Sequence, residues 1–127
     1  MPSKQQHQHQ ADVNIELSQV MEDSTLDILG CPPYGWVVTT LFYAALHLIE
    51  SRFAKEDTHL RTHHTRNRAI EADNVLSEIR DEYNFLHDLS RSARYDCENV
   101  EHKDVEHCRD VLDCIASYVS ALGSDNP

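Results

Sequence analysis

The stretch YGWVVTTLFYAALHLIESRFAK, residues Tyr34 to Lys55, reads as one helix that is apolar almost all the way round. Val37, Leu41, Ala44 and Leu48 form one stripe at helical spacing, and Val38, Phe42, Ala45 and Ile49 form the next. A helix with two adjacent apolar stripes belongs in the middle of a bundle. Its longest near-apolar run, Trp36 to Ile49, is too short to span a bilayer and reads as a core segment. The polar exceptions also line up. Thr40, Tyr43, His47 and Glu50 recur three or four residues apart, which sets them on one side of the helix.

On the N-terminal side, residues 23–35 break the periodicity, and Pro32-Pro33 marks a firm loop. Before it, Val13, Leu17 and Val20 recur at helical spacing and predict a first helix over about Ala11 to Met21. Residues 1–10 are rich in Gln and His. They are expected to form a disordered tail, because a polar tract cannot bury enough surface to order itself; a metal-binding or tag-like role is the alternative. On the C-terminal side, residues 56–65 read as a polar connector, followed by a short third helix over Arg66 to Ala72. Asp73 or Asn74 can cap the next element. Leu76, Ile79, Tyr83, Leu86 and Ser90 then keep a three-four rhythm, as do Val105, Cys108, Leu112, Ile115, Val119 and Leu122 in the last helix. Gly123 is placed to end it. Four main helices and a short one, joined by short loops, predict an all-α fold. Its expected form is an up-and-down four-helix bundle with one additional short helix, over residues 11–123, with a tail at 124–127.

The bulk composition agrees with a helical globule. The hydrophobic fraction is 40% and the charged fraction 26%, there are three glycines, and all four prolines lie near the termini or in one loop. A net charge of −11 favours solubility and repels nucleic acid and anionic membranes over most of the surface, so neither DNA nor a membrane is an expected partner. Three lysines stand against eight arginines, a bias that suits a salty cytoplasm and also arises from a GC-rich genome. The four cysteines form no CxxC pair, and Cys108 and Cys114 stand about 240° apart around a helix, so buried free thiols are expected. The polar start carries no signal-peptide pattern, and a cytoplasmic location is expected.

Three groups of residues can carry chemistry. Tyr43, His47 and Glu50 place a phenol, an imidazole and a carboxylate on one face, fit either for proton transfer or for a buried hydrogen-bond network. His59, His63 and His64 have the residue type that binds zinc, although the paired Glu-x-x-His motifs of di-iron bundles are missing. Between Ser51 and Arg68, five basic residues oppose two acidic ones, a local +3 that leaves −14 on the rest of the chain. Such a positive island can hold a phosphate, pair with an acidic partner, or be neutralised by the acidic helices. Arg91, Arg94 and Tyr95 join it if the bundle folds them beside it.

The run WVVTTLFYAALH, Trp36 to His47, resembles the Phe-Tyr-Ala-Ala-x-His helix of small prokaryotic HEPN proteins (higher eukaryotes and prokaryotes nucleotide-binding). Tyr83, Leu86, Ser90, Arg91, Arg94 and Tyr95 resemble that family's arginine- and tyrosine-bearing segment near the start of its last helix. His64-x-Arg66-Asn67-Arg68 between them also fits, so the resemblance spans about residues 34–96. It implies a HEPN-like bundle, commonly a homodimer, in a prokaryotic defence or toxin-antitoxin setting. Many members there are metal-independent ribonucleases or partners of nucleotidyltransferases.

The ribonuclease members carry Arg, four to six residues, then His near the last helices. Here Arg94 and His102 have one residue too many between them. Arg52 to His59 and Arg80 to His87 have a permitted spacing but lie elsewhere in the chain. The resemblance therefore leads to a dimeric module that binds RNA, a nucleotide or a partner protein through Tyr43, His47, Glu50, His64, Arg66, Arg94 and Tyr95, with no cofactor. A metal-independent endoribonuclease and a metal-binding helical bundle are the alternatives.

Overall fold

The computed structural model of the chain describes residues 2–23, 33–54, 60–96 and 99–124. Among them are five α-helices and one 3-10 segment: α1 (Lys4–Asp23), α2 (Tyr34–Ala54), α3 (His63–Ala72), the 3-10 segment Leu76–Ile79, α4 (Arg80–Tyr95) and α5 (His102–Ser124). No strand occurs among the described residues, so the fold is all-α as expected. None of these helices is long and apolar enough to cross a membrane.

α2 is the hub. It packs against α1, α4 and α5, while α4 also packs against α5. Val37, Val38, Leu41, Ala44, Ala45 and Ile49 are fully buried, which is what two adjacent apolar stripes require. Full burial of each larger aliphatic side chain contributes about 1.5–3 kcal/mol. The hydroxyls that share this helix are satisfied within it: Thr39 donates to the Gly35 carbonyl at 2.9 Å and Ser51 to that of Leu48 at 2.6 Å. Tyr83, Leu86 and Ser90 of α4 and Val105, Cys108, Leu112, Ile115 and Val119 of α5 are buried, in the rhythm read from the sequence. Burial pushes the Cys108 thiol up to about 12, so it is inert at neutral pH.

Local signals start the helices. Thr62 and Thr65 form a reciprocal capping box at the head of α3, with Thr65 N–H donating to Thr62 Oγ1 at 3.0 Å. The head of α3 thus lies three residues ahead of the expected Arg66. Asp73 ends α3 and starts the 3-10 segment: its Oδ1 accepts from the backbone N–H of both Val75 and Leu76 at 2.9 Å. α5 runs one residue past Gly123.

α1 departs from its sequence pattern in two ways. It begins at Lys4, so the segment expected to be a disordered tail is the helix's first two turns. Ser3 and Gln6 explain the early start. Ser3 N–H donates to Gln6 Oε1 at 2.7 Å and Gln6 N–H to Ser3 Oγ at 3.1 Å, a capping box that satisfies two otherwise orphaned donors. The second departure is the buried face. Val13, Leu17 and Val20 point to solvent, at 39%, 46% and 63% exposure, while His7, Ala11, Asn14 and Ser18 face the bundle. The polar members of that inner face find partners there. Asn14 Oδ1 accepts from Gln10 at 3.0 Å, and Ser18 donates to the Ile15 carbonyl at 2.6 Å and accepts from Arg109 of α5 at 3.1 Å. Arg109 also pairs with Glu22 at 3.1 Å, tying the end of α1 to α5.

Small residues on that inner face leave no room for growth. Ala11→Leu is expected to cost about 1–3 kcal/mol through overpacking, whereas Glu16→Leu on the outer side stays within about 0.5 kcal/mol. Urea unfolding measures both, and a tolerated Ala11→Leu would mean that the helix is turned the other way.

Candidate functional site

The central feature is a buried ion pair. Glu50, near the end of α2, and Arg66, in the first turn of α3, meet at 2.8 Å with side chains only 6% and 8% exposed. Arg66 Nε donates to Glu50 Oε1, Nη1 to the Tyr83 hydroxyl of α4 at 3.4 Å, and Nη2 to the Leu60 carbonyl at 3.4 Å. One guanidinium thus joins three helices and the segment that leads into α3. Burial works to lower the Arg66 pKa, but Tyr83 and Glu50 outweigh it and hold the charged form above its ordinary range. Burial raises the Tyr83 phenol, with Arg66 acting against it, so Tyr83 stays protonated as the third partner.

Two histidine pairs flank this ion pair. His63 of α3 lies flat on His87 of α4, with ring centroids 3.5 Å apart and planes 2° from parallel. His63 also stacks on Tyr83 at 5.7 Å, and Phe42 of α2 meets His87 edge-on at 5.4 Å. Burial, His87 and Arg66 lower the His63 pKa, while Asp88 acts to raise it. Across α1 and α2, His7 Nδ1 and His47 Nδ1 stand 3.0 Å apart. Burial and His7 lower the His47 pKa, with Glu50 opposing and Arg66 adding to the effect.

His7 is shared by two clefts. One, of 430 Å³, is lined by Pro2, Gln6, His7, Gln10 and His47. The other, of 200 Å³, is lined by Pro2, His7, Leu46, Glu50, Leu60, Arg61 and Arg66. His47 thus lines the first cleft, Glu50, Arg61 and Arg66 line the second, and His7 and Pro2 line both.

The other sequence-selected residues gather at a second place. Arg94 of α4 lies near two tyrosine rings, its Cζ 5.7 Å from the Tyr43 centroid and 5.3 Å from that of Tyr95. Arg91 lies 5.5 Å from the Tyr95 ring. Tyr43 and Tyr95 are 42% and 67% exposed. Arg94 Nε and Nη1 are buried with no hydrogen-bond partner among the described residues, and both rings lie within cation-π distance of the guanidinium.

The shared face of Tyr43, His47 and Glu50 is therefore divided. Tyr43 turns to Arg94, His47 to His7 and Glu50 to Arg66, and among the described residues no hydrogen bond links the three to one another. His64 is exposed and takes no hydrogen bond or ion pair there. His59, with Lys55, Glu56 and Asp57 of the charged stretch, lies outside the described residues, as do Cys31 and Cys97. No group of three His, Cys, Asp or Glu side chains suited to a metal occurs among the described residues. Arg80 pairs with Glu71 at 2.9 Å while His87 stacks on His63, so that Arg-His spacing joins no common site. Sequence reasoning misses His7, which falls in the Gln- and His-rich start, and Tyr83, which reads as core filling. The Ser3-x-x-Gln6 box is the available signal for His7.

A pH dependence arises from the stacked imidazoles. Because the fold lowers the His63 pKa, the unfolded chain binds the proton more readily, so stability falls as pH drops below about 6.5. His63→Phe keeps an aromatic ring on His87 and removes the titrating group, so its stability is expected to fall less than that of wild type between about pH 7.5 and 5. Parallel losses in urea unfolding would contradict the assignment. No family model matches the chain, and no curated protein and no solved structure matches it.

Proposed function

We propose that the protein is a HEPN-like module that binds a nucleotide or the end of an RNA strand, working as a cytoplasmic dimer in a prokaryotic defence or toxin-antitoxin setting. α1, α2, α4 and α5 are then the four main helices of the bundle, and α3 is the additional short one. The observation that carries the binding reading is Arg94 within cation-π distance of the exposed Tyr43 and Tyr95 rings, beside Arg91. Exposed aromatic rings offer stacking surfaces for bases, and an adjacent guanidinium offers charge-assisted hydrogen bonds to phosphate. On a chain of net charge −11, such a small cationic spot favours a short ligand over a long nucleic acid. The solvent-facing stripe Val13, Leu17 and Val20 supports the dimer, since a second copy is the partner that the HEPN resemblance implies.

The ribonuclease alternative has one observation in its favour. His47 is held neutral beside a cleft, the state in which an imidazole accepts a proton. The neighbouring cation, however, is committed to Glu50, Tyr83 and Leu60, so the arrangement supports binding better than turnover.

Calorimetric titration with a mononucleotide and a short 5′-phosphorylated RNA, in excess chelator, tests the proposal. Tyr95→Ala is expected to weaken binding about tenfold, in line with roughly 1–3 kcal/mol per stacked base, and Arg91→Ala is expected to reduce the salt dependence. The RNA should be recovered intact. Equal affinity in Tyr95→Ala, or no binding at millimolar ligand, would contradict the reading, and equilibrium sedimentation showing only monomer would remove the dimer from it.

A further inference from the structure

The contact between His7 and His47 points to a ligand of another class. The two Nδ1 atoms are 3.0 Å apart, with ring centroids at 5.2 Å and planes inclined by 35°. In the free protein one of these nitrogens donates a proton and the other accepts it. From this geometry we infer that His7 and His47 form a two-imidazole clip for a divalent metal ion of the zinc kind, which takes the place of the bridging proton and fastens the start of α1 to α2.

Imidazole nitrogen suits borderline ions of this kind and binds zinc at about 2.0–2.1 Å. Two such ligands in a tetrahedral shell stand about 3.3 Å apart, a few tenths of an ångström wider than the present contact. The ring that carries the Nδ1 proton moves it to its own Nε2 when the metal arrives. Both rings then ligate as neutral imidazoles, and no proton leaves the pair. The two ligands are held by helices that pack closely on each other, His7 in the first turn of α1 and His47 in the body of α2, so little ordering is left to be done on binding.

No third His, Cys, Asp or Glu joins the pair among the described residues. The 430 Å³ cleft beside it, which Gln6 and Gln10 also line, has room for water at the remaining coordination positions. Nothing in this inference depends on nucleotide or RNA binding.

The test uses the full chain stripped with chelator, then titrated with zinc by calorimetry and followed by thermal unfolding. His7→Gln and His47→Gln remove one ligand each. His9→Gln is the control, since His9 is exposed and lines neither cleft beside the pair. The expected result is one zinc per chain for wild type and His9→Gln, with a Tm that rises as free zinc exceeds Kd. Both ligand variants should weaken binding at least tenfold and lose most of that rise. Should His47→Gln fail to fold, His7→Gln decides alone. Zinc binding unchanged in a folded His7→Gln, or no binding to wild type at millimolar zinc, overturns the inference.

Discussion

The buried pair of Glu50 and Arg66 is the constraint on which the rest of the arrangement depends. Moving two opposite charges out of water is costly, and their attraction offsets that cost only with short geometry and with the remaining donors satisfied. The pair is at 2.8 Å, and each of the other two guanidinium nitrogens has an acceptor at 3.4 Å, the Tyr83 hydroxyl and the Leu60 carbonyl. Three helices are set by this one contact. α3 is short and weakly apolar, with Ile70 as its one fully buried aliphatic residue, so apolar burial alone would hold it loosely. The ion pair fixes its first turn, and that in turn lays His63 on His87.

The same logic accounts for the orientation of α1. A helix choosing between two faces does not simply bury the more apolar one. α2 offers His47 on the side that α1 covers, and α5 offers Arg109. The face that answers them carries His7, Asn14 and Ser18, with Ala11 small enough for close approach. Leaving that face in water would strand the buried polar groups of the partners, at about 1–3 kcal/mol for each lost hydrogen bond. The cost is an exposed apolar stripe of Val13, Leu17 and Val20.

Much of this was legible in the sequence, and the limits have physical reasons. α2, α4 and α5 carry strong apolar periodicity, and most of the described residues it names are buried; Leu48 is only partly buried, while Phe53 and Val111 are buried outside the named stripes. α1 was legible as a helix but not in its facing, because periodicity ranks side chains by hydrophobicity and carries no information about the partner surface. Glu50 and Arg66 each stood out as candidates, yet their pairing spans 16 residues and depends on α3 folding back over α2. Tyr43 lay on the expected face of α2 and went to Arg94 instead of His47, a choice set by where α4 crosses. His64 shared a motif with Arg66, but two residues along a helix turn a side chain to the other side.

A double-mutant cycle on Glu50→Gln and Arg66→Met, read by urea unfolding, tests the central claim most directly. If the pair organises the fold as described, each single substitution costs about 3–5 kcal/mol, because it leaves a buried group without its counterpart. The double variant then costs well below the sum, with a coupling of at least about 1 kcal/mol. Single effects within about 1 kcal/mol that simply add would be the behaviour of a solvent-exposed pair, and would contradict the account.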